Sequence, residues 1–251
     1  MRKARPERLH NLDRMTLRQL VEAYFAHHAI RIYFALAALC IALTATWATE
    51  LWPVLYAVVA ALVAYPLVEY LVHRFILHGR YLYKSPRTAA LWKRIHFDHH
   101  RDPNDLRVLF GALHTTLPII VIATGPLGWL IGGLPGMTAA LATGLLSFTF
   151  YEFCHCIQHL AFKPRSRYLR RIKKRHLAHH FHYEQGNFGI TSHFWDRAFG
   201  TFYDDPKEVP RSATVFNLGY TDDEARHYPW VADLSRLDPP PQQDAMEAFD
   251  R

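Results

Sequence analysis

The chain of 251 residues reads as an all-α integral membrane protein: four transmembrane helices in two hairpins, with a helical cap on the cytosolic side. Three observations carry that fold class. Four apolar blocks alternate with polar sequence, every lysine and arginine but Arg31, at the start of the first block, falls between or outside the two hairpins, and histidines cluster directly after the second and fourth blocks. Half of the residues are hydrophobic, yet 20% are charged, as expected when membrane and aqueous segments alternate.

Taken in order, the first thirty residues are not a secretory leader. Arg2, Lys3, Arg5, Arg8, Asp13 and Arg14 interrupt any apolar core. From Thr16 the spacing of Leu17, Leu20, Val21, Tyr24, Phe25 and His28 predicts an amphipathic helix lying on a membrane surface. Ala29 to Trp47 is the first apolar block, and Pro53 to Val72 is the second. Each approaches the ~20 residues that cross a hydrocarbon core of about 30 Å. Trp47 and Trp52 flank the turn between them, where interfacial aromatics belong. Val108 to Thr124 and Met137 to Phe150 are the third and fourth blocks, joined by a Gly/Pro-rich turn from Gly125 to Gly136. They are shorter and carry His114, Pro118 and Gly144, which predicts tilt or a kink.

Charge placement sets the orientation. All twenty-nine lysines and arginines lie in Arg2 to Arg31, Arg74 to Arg107 and Lys163 to Arg251, and neither hairpin turn holds one. Positive residues stay in the cytoplasm, so both termini and all three basic segments share that side. The excess of +7 is therefore topological and does not point to nucleic acid. The run from Lys163 to Arg175 could hold anionic headgroups or an acidic partner. Cys40, Cys154 and Cys156 make no disulfide framework and read as buried thiols.

The histidines carry the chemistry. His73 and His78 are followed by His96, His99 and His100; His155 and His159 are followed by His176, His179 and His180. Ten of seventeen histidines fall in this doubled pattern. On a helix, positions i, i+3 and i+4 share a face, so each H-x2-H-H triplet is expected to aim at one common point, as is the pair His155 and His159. His73 and His78 diverge on a regular helix, which predicts a distortion or a helix end near Gly79; Pro66 is a candidate kink ahead of them. Imidazole suits zinc, iron, copper and nickel. A structural zinc takes four ligands, whereas ten imidazoles divide into two sets of five, each half of the chain supplying one. Glu69 and Glu152, at the inner ends of apolar helices, are expected to accept ring N–H groups, with Tyr151 beside them. His10, His27, His28, His114, His182, His193 and His227 are expected to be ordinary core or surface residues.

With these residues in place, the chain resembles the integral-membrane fatty acid hydroxylase/sterol desaturase superfamily. Val68-Glu69-Tyr70 through His73-Arg74-Phe75, Tyr151-Glu152 through His155, and the run from Gly189 to Asp196 ending Phe199-Gly200-Thr201 resemble the fatty acid 2-hydroxylase branch. The resemblance covers roughly Val68 to Tyr203. It implies two iron ions (zinc as a possible substitute), O2 as co-substrate, and hydroxylation at C2 of a fatty acid or sphingolipid acyl chain. Members often carry a cytochrome b5 domain with a His-Pro-Gly-Gly stretch, which this sequence lacks, so a separate cytochrome b5-like or ferredoxin-like donor is expected. The short length suits a bacterial inner membrane, or the endoplasmic reticulum membrane in a eukaryote. No dinucleotide fingerprint is present. Zinc has no redox chemistry, so cleaving an unactivated C–H bond needs another metal. The expected organisation is an N-terminal segment over 1–28, a membrane and metal-binding catalytic domain over 29–203, and a polar segment over 204–251 whose last fifteen or so residues form a flexible tail. Within the catalytic domain, 182–203 is expected to roof the site. Two rival readings share much of this pattern: a sterol or carotenoid enzyme of the same superfamily, and a non-enzymatic metal transporter, which would place ligands at mid-bilayer.

Overall fold

The structure is a computed structural model that describes residues 11–236. Its α-helices are α1 (Leu17–Ala26), α2 (His28–Trp47), α3 (Leu51–Leu71), α4 (Pro86–Trp92), α5 (Asp98–Arg101), α6 (Leu113–His159), α7 (Arg167–Phe181), α8 (Phe194–Ala198), α9 (Asp222–His227) and α10 (Trp230–Ser235). No strand occurs among the described residues; the one β-type pairing is the isolated bridge of Asn11 with Asp105. The expected tail after residue 236 lies outside the described residues.

By contacts the chain divides into two compact units. One comprises Arg18–Glu69 and Gly111–Cys154 and contains the apolar helices. Three helical stretches are long and apolar enough to cross a membrane: His28–Trp47, Leu51–Lys84 and Leu113–His159. Only 28%, 11% and 22% of their most apolar windows are buried, which no core helix of a water-soluble protein would tolerate. Leu130, Ile122, Val63 and Trp52 are among the exposed residues of these helices.

The third block from Leu113 onward and the whole fourth block lie in α6, two helical arms that meet at a kink, and the turn expected from Gly125 to Gly136 contracts to two residues. Gly132 (φ −145°, ψ 23°) and Gly133 (φ 61°, ψ −145°) leave helical geometry, and the positive φ at the second needs a residue without Cβ. Small residues then let the two arms of α6 touch. A Cβ on Gly128 would lie 2.3 Å from the Gly136 carbonyl oxygen, and one on Gly144 would lie 2.8 Å from Thr124 Cγ2. Polar ties join the other helices of this unit: Thr44 and Thr138 hydroxyls at 2.8 Å, Tyr33 with Thr116, and Tyr24 donating to the Thr149 carbonyl at 2.6 Å. That last bond belongs to α1, whose Leu20 and Tyr24 are buried while Phe25 and His28 of the expected face are exposed. α1 ends at Ala26 and α2 begins at His28, so the expected face does not run on to His28. Pro66 sits inside α3 without ending it.

The other unit comprises the described residues of 11–17, 70–110 and 155–236. Its apolar core joins Tyr83, Ala89, Trp92 and Phe97 to Leu218, Tyr220 and Val231, so α10 and the segment before α9 pack onto α4. Two π-helical turns, Val72–Leu77 and Lys93–Phe97, contain His73 and His96 and run up to His78 and to the helix of His99 and His100. The first explains the H-x4-H spacing. The His78 N–H reaches the His73 carbonyl at 3.1 Å, an i to i+5 bond that brings two side chains five apart onto one face. Distortion was expected there; the wide turn is its form. Trp92 Nε1 donates to the Leu77 carbonyl at 3.0 Å and ties down the end of that turn.

Candidate metal centre

Ten histidines, all buried, gather within the second unit as two groups of five: His73, His78, His96, His100 and His179 in one, and His99, His155, His159, His176 and His180 in the other. Within each group one ring nitrogen from every member lies within 4.8 Å of the rest. In the first, His96 Nε2 lies 2.9 Å from His78 Nε2 and 3.2 Å from His73 Nε2. In the second, His155 and His99 approach at 2.9 Å and His159 and His176 at 2.8 Å, again through Nε2.

The sets of five are as expected, but their membership corrects the sequence reading. Neither H-x2-H-H triplet aims at one point. His96 and His100 stay with His73 and His78, while His99 crosses to the later histidines; His176 and His180 stay with His155 and His159, while His179 crosses to the earlier ones. The reason is rotational. Residues four apart on a helix nearly superpose in projection, whereas neighbours point about 100° apart. Each half of the sequence thus supplies four ligands to its own group and lends one to the other. The groups abut through His100 and His180, whose ring centroids are 4.1 Å apart.

Burial keeps these rings neutral. It is the first cause lowering the pKa of His96, His99, His176, His179 and His180 well below the usual imidazole value, and the next is a neighbouring ring in each case. His100 is pushed down to about 3 by burial, against a raising effect of the Val215 carbonyl. Neutral imidazole is the form a metal requires.

The donor set fits a metal ion. His100 Nδ1 hydrogen-bonds the Val215 carbonyl at 2.9 Å and His179 Nδ1 the Gly186 carbonyl at 2.7 Å; both Nε2 atoms are buried without a hydrogen-bond partner. Donation from Nδ1–H leaves a lone pair on Nε2, the tautomer that binds a cation. Unmatched buried polar atoms of this kind cost about 1–3 kcal/mol each, and an ion at each group would relieve several at once. Five nitrogen donors exceed the four of a structural zinc and suit an imidazole-preferring transition metal with a further open position.

The outer partners of the first group were not legible in the sequence. His73 Nδ1 bonds the Phe188 carbonyl, so the carbonyls of Gly186, Phe188 and Val215 fix three of its five rings. The Phe188 ring packs against His73, His78 and His179 at centroid distances of 5.7, 5.2 and 5.7 Å, in keeping with the roof expected of 182–203. Asp196, fully buried, holds this loop: its Oδ1 accepts the Phe188 N–H at 2.7 Å and the Thr201 hydroxyl at 2.9 Å, and its Oδ2 accepts the Gly189 N–H at 2.9 Å. The only sequence signal was the run Gly189 to Thr201, which marked the loop but gave Asp196 and Thr201 no role.

Of the other residues singled out, Glu69 and Glu152 are buried and Tyr151 is half-buried; none is in a ligand group. Glu152 Oε1 accepts the Gly111 N–H at 3.1 Å, and the Tyr151 ring stacks on Phe148 at 5.7 Å. His193 is buried against Phe202, its pKa pushed down to about 3 by burial and then by Arg175 and Arg197; it joins neither group. His182 donates to the Val209 carbonyl at 2.9 Å; Cys154 and Cys156 are buried as expected and in no disulfide, whereas Cys40 is only half-buried.

Residues 58–201 match the family model described as fatty acid hydroxylase. The chain is 35% identical over 143 residues to a ceramide very long chain fatty acid hydroxylase of Saccharomyces cerevisiae, covering 54% of this chain and 35% of that protein. It is 32% identical to the fatty acid 2-hydroxylase of Rattus norvegicus, over 57% of this chain and 38% of the relative. A dihydroceramide fatty acyl 2-hydroxylase of Arabidopsis thaliana is 30% identical, over 64% of this chain and 67% of that one. The chain thus spans little more than a third of the length of the yeast and rat relatives. A solved structure of full-length scs7p, in which only the hydroxylase domain is visible, superposes with a TM-score of 0.60 at 30% identity, covering 72% of this chain and 67% of that one.

Proposed function

We propose a function from one premise: this chain belongs to the fatty acid hydroxylase family. It is a membrane-bound, O2-dependent hydroxylase with two metal ions, acting at C2 of a lipid acyl chain, either a fatty acid or the acyl group of a ceramide-type sphingolipid. The named activities of the relatives suggest the substrate class, and the two sets of five buried neutral imidazoles are the observation that carries the reading.

The ten histidines would hold two ions, and iron is assigned because activating O2 toward an unactivated C–H bond needs a redox-active metal, which zinc is not. The chain's own part is positional. Ring tautomers are set by the carbonyls of Gly186, Phe188 and Val215, and the apolar ring of Phe188 keeps water from one side of the first group. Glu69, Glu152 and Tyr151 are retained as residues that orient ring N–H groups, on the burial of the carboxylates and their place three and four residues ahead of a ligand in sequence.

Four membrane crossings in two hairpins remain part of the proposal, supported by the contact of the two arms of α6 on either side of Gly132 and Gly133. Electrons come from a separate acidic carrier. The segment 163–183 has no acidic residue, and α7 exposes Arg167, Arg170, Arg171 and Lys174 while carrying His176, His179 and His180 on its buried face.

Lipid analysis of cells expressing the wild type or His179→Ala tests the reading. The wild type should accumulate 2-hydroxyacyl lipids and the variant should not; identical lipid profiles would reject it. Glu152→Gln in the same assay should lower the 2-hydroxyacyl signal, and an unchanged signal removes Glu152 from the machinery.

A further inference from the structure

We propose that the two histidine groups are unequal metal sites: the group of His73, His78, His96, His100 and His179 is the tight one, preset by a loop clamp centred on Asp196. This inference rests on the two-metal reading above. Both groups have five buried imidazoles, so ligand number does not separate them. Their outer contacts do.

In the first group, three rings donate their outward nitrogen to a backbone carbonyl: His73 to Phe188, His100 to Val215 and His179 to Gly186. In the second group, the Nε2 atoms of His99, His159 and His176 face one another, and their outward Nδ1 atoms are buried with no hydrogen-bond partner among the described residues. Neither nitrogen of His180 has one. A ring whose outer N–H is already bound has its tautomer and direction fixed before an ion arrives. A ring without that partner must be ordered by the ion itself. Loss of an outer partner typically costs 10–100-fold in metal affinity, and the first group has three such partners.

The clamp is built, not incidental. Asn187 takes a left-handed backbone (φ 55°), with its N–H on the Thr201 carbonyl at 2.9 Å and its side-chain amide on the Tyr203 carbonyl at 2.9 Å. Asp196 holds the next two N–H groups, of Phe188 and Gly189. Gly189 has no room for a side chain, because a Cβ there would sit 1.9 Å from the Ser192 carbonyl oxygen. A polar chain braces Asp196 from behind. Arg74 donates to the Tyr70 hydroxyl at 2.6 Å, that hydroxyl meets Thr201 Oγ1 at 3.1 Å, and Thr201 donates to Asp196 at 2.9 Å. The carbonyls of Gly186 and Phe188 are thereby held from both sides of the loop.

The test is an anaerobic titration of the metal-stripped, detergent-solubilised full chain with cobalt(II), followed by its d–d absorption. The wild type should show two classes of site, the tight one at least about tenfold stronger. His179→Ala should remove the tight class and His99→Ala the weak one. Thr201→Val and Asp196→Asn should weaken the tight class by about 10–100-fold and spare the other; Thr201→Val carries the test if the buried carboxylate proves essential for folding. Two equal classes, loss of the tight class in His99→Ala, or a Thr201→Val chain that binds like the wild type or loses both classes alike would overturn the inference and leave the two-metal reading standing. A chain that binds no cobalt would overturn both.

Discussion

The two histidine segments do the same work with different backbones. From Val72 to Arg101 the chain uses two π-helical turns, and the bases beside its second histidine cluster are tied down: Lys93 bonds Asp98 at 2.8 Å and Arg94 spans the carbonyls of Arg107 and Val108, while Arg80, Lys84 and Arg87 are exposed. From His155 to Phe181 it uses the end of α6 and the whole of α7, regular helices whose outer residues Arg167, Arg171 and Lys174 have no ion pair among the described residues. The extra residue between His73 and His78 is absorbed by widening a turn, whereas the two triplets keep one spacing although only the earlier begins in a π turn. The helix that bears the later ligands therefore also carries an exposed basic face, whereas Lys93 of the earlier segment is buried in an ion pair.

The largest expected effect comes from forcing the later segment to copy the earlier one. Inserting an alanine between Ile157 and Gln158 creates an H-x4-H spacing, but a regular helix would turn His159 by about 100°. Gln158, fully buried and bonded to the Ile190 carbonyl at 2.8 Å, fixes the register and prevents relaxation. Metal affinity of the group containing His99 should fall by more than about 100-fold. A chain that still binds two ions would show that α6 can form a π turn too.

Charge compensation separates the segments at the next level. The side chains of Lys93 and Asp98 are 8% and 18% exposed, so Lys93→Met removes the cation beside a mostly buried carboxylate and should cost about 3–5 kcal/mol in unfolding free energy. Lys174→Met, on the exposed face of α7, should change it by less than about 0.5 kcal/mol. Denaturant titration of both variants measures the contrast, and equal losses would mean that the basic face of α7 is structural.

The smallest effect is the reverse conversion. Deleting Ile76, which is partly exposed, gives the earlier segment an H-x3-H spacing and should let Val72–Leu77 become regular α-helix with the ligand face kept. Cobalt binding at the group of His73 and His78 should weaken by no more than about tenfold. Loss of both ions would mean that the π turn positions far more than His78.

The ligands were legible because local chemistry marks them: imidazoles at helical spacing stand out against apolar sequence whatever the rest of the chain does. The break in α6 was legible only in part. Glycines and prolines from Gly125 to Gly136 announced a turn, but Pro126 and Pro135 are accommodated within the helix and only Gly132 and Gly133 leave it. Asp196 was invisible because its role is set by contacts with N–H groups of Phe188 and Gly189, and backbone amides carry no sequence signature.

By itself the sequence determined which ten histidines gather, that they divide five and five, and that apolar helices accompany them, since these follow from residue chemistry and short-range periodicity. Only the tertiary structure decided that His99 and His179 change sides and that carbonyls of Gly186, Phe188 and Val215 set the tautomers of His179, His73 and His100. Those outcomes depend on the rotational phase at which each helix docks and on where a distant loop lands, and packing fixes both.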